Sequence, residues 1–119
     1  IATGCPHIFC TSLPKHWRAN KSLPNMFRLY DTSGLIRDGT RVKLFAGNED
    51  NSIANLRNNE STIVANSVVF NDLRFIGRSG RGKFFLITIV IMSEPMIVAT
   101  YSHAIKVTVD GPREPRCKS

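Results

Sequence analysis

Three cations alternate with three glycines in the seven residues Gly77-Arg78-Ser79-Gly80-Arg81-Gly82-Lys83. Glycine admits positive φ and lets a backbone come close to another surface. Cations on such a loop point at something negative. Arg74 stands just upstream, and Phe84 to Met92 downstream is apolar apart from Thr88. Three chemistries fit: a nucleotide-binding P-loop, a solvated turn between two strands, or a loop that tracks nucleic-acid phosphates. Gly77 to Lys83 satisfies Gly-x-x-x-x-Gly-Lys, but that motif needs Ser or Thr next for magnesium and a helix to hold phosphate. Phe84 stands there instead, and the β-branched and aromatic run after it favours strand.

Catalytic chemistry has little else to work with. His7, His16 and His103 have no nucleophile or carboxylate at informative spacing, Ser79 has no evident base, and no paired-carboxylate site is visible. Neither an enzyme nor a cofactor is expected. Cys5, Cys10 and Cys117 are odd in number and match neither a disulfide framework nor a zinc site. Reduced thiols of a cytosolic or nuclear protein are the simplest account.

The formal net charge of +7 over 119 residues points to a polyanion: DNA, RNA, a heparin-like sugar or an anionic membrane. The longest apolar run, nine residues from Phe84 to Met92, is well short of the about twenty that span a bilayer. No amphipathic basic helix is visible, so a membrane surface ranks low. One domain over residues 1–119 is expected from length. The chain opens on Ile1 without a leader, as a piece of a longer protein would.

The elements that must carry the cations read as strands. Ile8 to Cys10 starts the series, and Trp17 is expected to bury as an anchor beside Arg18 and Lys21. Met26 to Tyr30 and Arg41 to Ala46 alternate, with Val42 and Leu44 inward and an Asp38-Gly39 hairpin signal between them. Gly47 to Asn51 is a turn and the most acidic patch. Ile53 to Arg57 reads as a short strand, 62–70 as one β-prone run, and Phe84 to Met92 as a long apolar strand. Ser93-Glu94-Pro95 turns the chain. Ile97 to Tyr101 and Ala104 to Val109 read as two further strands, the second with Ile105, Val107 and Val109 on one face. Short strands with regular turn signals predict an all-β antiparallel sandwich or barrel. In a sandwich alternate loops gather at one end. Arg18 and Lys21, then Arg74, Arg78, Arg81 and Lys83, then Arg113, Arg116 and Lys118 would there form one cationic surface. Asp110 beside them could hold an arginine in a fixed pose or simply form the turn.

Several stretches together are familiar: His16-Trp17-Arg18 with Asn20-Lys21 and Leu23-Pro24, Ala46-Gly47-Asn48, Phe70 to Phe75, Gly77 to Lys83, Ala99-Thr100-Tyr101, and Val109 to Arg116. They resemble the Runt domain, the DNA-binding domain of the Runt-related (core-binding factor alpha) transcription factors, over nearly the whole chain. The resemblance implies an immunoglobulin-like antiparallel β-sandwich that binds double-stranded DNA with loops at one end and a C-terminal tail, in the nucleus, at a TG(T/C)GGT-type site. By motif position, Arg18, Arg113 and Arg116 would contact guanines in the major groove, Asp110 would orient an arginine and touch a base edge, and Arg81 would approach the minor groove. Lys21, Arg74, Arg78, Lys83, Lys106 and the backbone near Thr108 and Val109 would serve phosphates or the remaining edges. Chloride would occupy Asn51, Asn55, Arg78 and Val109 in the free domain, Asn55 replacing a family glutamate. A core-binding factor beta subunit would meet Asn48, Thr88, Thr100 and Tyr101. The departures, Ser52, Val69, Ser102 and His103, fall on the partner side. Ala19 replaces a redox-sensitive cysteine, and Cys10 remains. The expected DNA-contacting positions are intact. Two readings stay beside this one: a non-specific binder of RNA or sulfated sugar on the same frame, and an enzyme using the glycine-rich loop on nucleotide.

Overall fold

The computed structural model describes residues 1–110, and Arg113, Arg116, Cys117 and Lys118 lie outside them. Among the described residues the chain forms β1 (Ile8–Cys10), β2 (His16–Arg18), β3 (Phe27–Asp31), β4 (Arg41–Gly47), β5 (Leu56–Arg57), β6 (Glu60–Thr62), β7 (Ser67–Phe70), β8 (Arg74–Phe75), β9 (Phe85–Ile91) and β10 (Ile97–Thr108). One sheet has the order β1-β3-β7, a second β2-β10-β9-β4-β6, and β5 with β8 makes a small ladder.

Period-two alternation builds the core, because successive side chains of a strand leave on opposite faces. Phe27, Leu29 and Asp31 of β3 point in, while Arg28 and Tyr30 point out. Val42, Leu44 and Ala46 do the same in β4, and Phe85, Ile87, Ile89 and Ile91 in β9. The inner faces of both sheets share one apolar cluster. Phe27 packs on Phe70 at 6.0 Å between ring centroids, and Phe75 stacks on Phe85 at 6.5 Å. This is an all-β, immunoglobulin-like sandwich, as expected.

Several local expectations change. The run 62–70 is not one strand: β6 joins β4 in one sheet, β7 joins β3 in the other, and the chain reverses between them. Val64 and Ser67 exchange backbone hydrogen bonds of 2.8 and 3.1 Å around Ala65 and Asn66, both at positive φ. That is the geometry of a two-residue hairpin, hidden in sequence by the apolar Val64 and Ala65. Asp38-Gly39 joins strands of different sheets, so it is a turn and not a hairpin tip. The two expected strands from Ile97 onward are one, with a bulge between Tyr101 and Ile105, where His103 takes φ 49°. The strand stops at Thr108, and Val109 turns outward. Of Ile53 to Arg57 only Leu56 and Arg57 are strand. Trp17 is half-buried, packed against the core edge with its indole donating outward to loop carbonyls.

His7 also departs from expectation, because a carboxylate partner does exist 24 positions away: its Nδ1 lies 2.9 Å from Oδ1 of buried Asp31. An ionised carboxylate only accepts, so Nδ1 carries the proton. Ser33 donates to Asp31 from its hydroxyl at 2.8 Å and its N–H at 3.1 Å. Burial opposes ionisation of Asp31, but these hydrogen bonds outweigh it and hold the carboxyl below the usual carboxylate range. A depressed folded-state pKa contributes stability above the unfolded value, and that stability is lost as pH falls through the folded one. Asp31→Asn should therefore cost about 1–3 kcal/mol near neutrality. In denaturant titrations across pH, the gap to wild type should close below roughly pH 4.

Candidate nucleic-acid interface

The cationic pole is built on the last residues of β10. On one side β2 runs parallel to it, pairing Lys106 with His16, Val107 with Trp17 and Thr108 with Arg18. The Lys106 N–H donates to Lys15 O at 2.8 Å, and the Ala19 N–H donates to Thr108 O at 2.9 Å. On the other side β9 has ended, its last partner being Phe85 opposite Ile105. Ser79 takes its place. The Ser79 N–H donates to Val107 O at 3.0 Å, its hydroxyl donates to the same oxygen at 3.2 Å, and the Val107 N–H donates to Oγ at 2.9 Å. Ser79 is fully buried. The serine inside the glycine-arginine loop is thus a clip that fastens the loop to the sheet. Sequence reasoning missed it, since a serine between glycine and arginine carries no periodic signal.

Two glycines make the clip possible. A Cβ on Gly77 would sit 3.0 Å from Asn51 Nδ2 and 3.1 Å from the Ala54 Cβ, and Gly80 holds φ +97°. Arg78 and Arg81 then flank Ser79 and line a groove of ≈ 320 Å³ with Gly80, Val107, Thr108 and Val109. Arg18 lies across β10 from that groove, opposite Thr108. Arg18, Arg78 and Arg81 are exposed, and among the described residues their side chains make no hydrogen bond or ion pair. Asp110 is exposed at the end of the described chain. No helix follows the loop among the described residues, so the phosphate-holding helix of a P-loop is missing there.

Lys21, Arg74 and Lys83 are engaged. Lys21 sits over the Trp17 ring, 5.1 Å from its centroid. Arg74 Nε reaches both oxygens of Asp72 at 3.1 Å, and its other nitrogens reach Ser22 Oγ at 3.1 Å and Asn20 O at 3.5 Å. Lys83 Nζ pairs with Asp50 at 3.0 Å, and the hydrogen bond to this carboxylate lifts the Lys83 ammonium above its ordinary range. His16 Nε2 lies 2.7 Å from Thr108 Oγ1. Partial burial, then the nearby Lys106 charge, lowers the His16 pKa and favours the neutral ring.

The remaining expected positions fall in two places. Asn51 and Asn55 border Gly77 and Arg78: Asn51 Nδ2 donates to Arg78 O at 3.5 Å, and Asn55 O accepts from Ile76 and Gly77. Val109 joins Arg78 at the groove, so the four expected chloride positions cluster around one loop. Thr88 and Thr100 face each other across β9 and β10 in mid-sheet. Two other expected partner positions have internal work. Tyr101 Oη accepts from the Leu13 N–H at 3.1 Å. Asn48 donates to Ser79 O at 2.7 Å and accepts from the Asp50 and Asn51 N–H groups. Cys10 is buried, and burial pushes its thiol up to about 11, which disfavours the reactive thiolate.

The Runt domain family profile matches residues 1–118. The chain is also 49% identical over 114 residues to the Runt-related transcription factor rnt-1 of Caenorhabditis elegans, a match covering 96% of this chain and 38% of that protein. The chain belongs to the Runt domain family. It spans about 38% of the length of this curated relative. Runt domains belong to transcription factors and are not enzymes, and the reading of an enzyme using the glycine-rich loop on nucleotide ends here.

In this Runt domain, replacing Ser79 by alanine leaves the buried Val107 N–H without its acceptor. Ser79→Ala should lower unfolding free energy by about 1–3 kcal/mol. Amide exchange at Val107 should accelerate ahead of that at Ile89 in the sheet centre, which hydrogen-exchange mass spectrometry or NMR would read.

Proposed function

We propose that this chain is the DNA-binding domain of a longer nuclear transcription factor that binds duplex DNA sequence-specifically. The observation that carries the reading is the grouping of Arg18, Arg78 and Arg81, exposed and unpaired among the described residues, around the fixed end of β10. A duplex presents about one negative charge per 1.7 Å of axis, so a pole of uncommitted arginines gains by releasing its counterions. Arginine is also the fork that fits guanine O6 and N7 in the major groove.

Family resemblance suggests a TG(T/C)GGT-type site and the division of labour. Arg18 reads guanine together with Arg113 and Arg116, which lie outside the described residues, and Asp110 orients one of these forks. Arg81 reaches the minor groove. Lys21, Arg74, Arg78, Lys83 and Lys106, with the backbone at Thr108 and Val109, position the domain on phosphates. Chloride at Asn51, Asn55, Arg78 and Val109 would stand in for a phosphate in the free domain. The sheet face bearing Thr88 and Thr100, with Tyr101 and Asn48, is the surface for a core-binding factor beta-type subunit. Its departures at Ser52, Ser102 and His103 predict weaker pairing than DNA contact.

Competition gel shifts test this. Arg18→Ala, Arg113→Ala or Arg116→Ala should each cost about 1–3 kcal/mol on the selected duplex and relax one base position. Lys83→Ala should weaken all duplexes alike and reduce the salt slope by about one. Equal losses on selected and random duplexes for every variant would leave only non-specific polyanion binding.

A further inference from the structure

Asp72 is a negative charge set among the cations of a pole proposed to meet a polyanion. Coulomb's law alone makes it a liability there. Its surroundings give it a task. Asp72 takes φ +55° at the turn between β7 and β8, and Asn58 Nδ2 donates to its carbonyl at 2.9 Å. Its carboxylate accepts from Arg74 Nε at 3.1 Å on each oxygen and from the Ser22 hydroxyl at 2.6 Å. Across the β5-β8 ladder Arg57 and Arg74 are direct partners, like charges face to face, which costs stability unless something offsets it. Asp72 is the carboxylate that both arginines feel. Hydrogen bonds from Arg74 first, then Ser22, with the Arg57 charge adding to them, hold its carboxyl below the usual range.

Ser22 closes the loop that begins at Arg18. Within that loop the Ala19 N–H is bonded to Thr108 O and the Asn20 N–H to Phe75 O, each within 2.9 Å. The Trp17 indole donates to the carbonyls of Lys21 and Ser22. The loop therefore has backbone anchors at its start and middle, while side chains hold its end: the Trp17 indole on the Lys21 and Ser22 carbonyls, and the Ser22 hydroxyl on Asp72 and Arg74.

We propose that Asp72 is a positioning residue: through Ser22 and Arg74 it holds the loop from Arg18 to Ser22 in the pose that reads DNA. The proposal rests on the DNA-binding reading above. It also changes the emphasis on Arg74, whose guanidinium is spent on Asp72, Ser22 and Asn20 and serves the loop before it serves a phosphate.

The test compares Kd for a TG(T/C)GGT duplex and a random duplex in wild type, Asp72→Asn and Ser22→Ala. Asparagine tolerates the left-handed backbone, so Asp72→Asn removes charge with little strain, and circular dichroism confirms the fold. Its effects should have opposite signs. Random-duplex affinity should rise about two- to threefold because a repulsive charge is gone. Selected-duplex affinity should fall, lowering the selected-to-random ratio about tenfold. Ser22→Ala removes the same anchor without changing charge, and should lower the ratio at least about threefold. If Asp72→Asn strengthens both duplexes alike, or if Ser22→Ala leaves the ratio unchanged, Asp72 is only a charge and the proposal falls. A wild-type chain with no preferred duplex removes the DNA-reading premise itself, a result separable from the variants.

Discussion

Everything at the cationic pole depends on how the end of β10 is held. A strand that outruns its neighbour leaves backbone donors and acceptors exposed, and a sheet edge of that kind frays or pairs with something foreign. β10 outruns β9 by the residues after Ile105. β2 closes one flank in parallel, and Ser79 closes the other with a side-chain and backbone substitute for a strand. Since Arg18 ends β2 and Arg78 and Arg81 adjoin Ser79, the same bonds that satisfy β10 set the spacing of the arginines. A pole built on loops gains the rigidity of a sheet this way. Arginine forks read bases only when their backbone is fixed, because ordering a long side chain and its loop on contact would consume much of the gain.

The cations divide by what they already touch. Arg18, Arg78 and Arg81 are uncommitted among the described residues, whereas Arg74 and Lys83 are paired with Asp72 and Asp50. An exposed ion pair contributes little in water. Lys83 can therefore exchange Asp50 for a phosphate at small cost, and the carboxylate keeps the ammonium ready in the meantime. Arg74 is different, because its bonds to Asp72, Ser22 and Asn20 tie the turn before β8 to the loop after β2, beside the Ser22–Asp72 hydrogen bond. Similar residue types on one surface thus do distinct jobs, decided by the number of partners each holds.

The fold was largely legible because its signal is periodic. Alternation marked β3 and β4 and placed Val42 and Leu44 inside without any tertiary knowledge, and a continuous apolar run marked β9. What escaped was aperiodic. The reversal at Ala65-Asn66 interrupts an apolar run with no glycine or proline to mark it. The bulge at His103 joins two apparent strands into one. The His7–Asp31 contact spans 24 residues, and the Ser79 clip 28, and no local pattern encodes either. The cations were found because charge on a glycine-rich loop stands out by composition, and the loop motifs added the family. Asp50 was visible as part of the most acidic patch, but its pairing with Lys83 and the role of Asp72 were not, since an aspartate in a turn looks the same whether it caps the turn or clamps a cation.

That blindness has a physical origin. A sequence shows how many charges a surface carries, but not which are neutralised before a ligand arrives. Here the count of 16 lysines and arginines overstates what is free to meet a polyanion, because some of them face the chain's own acids. A surface meant only to attract a polyanion would do better without Asp50 and Asp72. Carrying them costs attraction and gains fixed geometry, and that exchange suits a domain that must discriminate among duplexes, all of which share the same phosphates. The acids at the basic pole are thus an argument for sequence reading that the bases alone cannot supply.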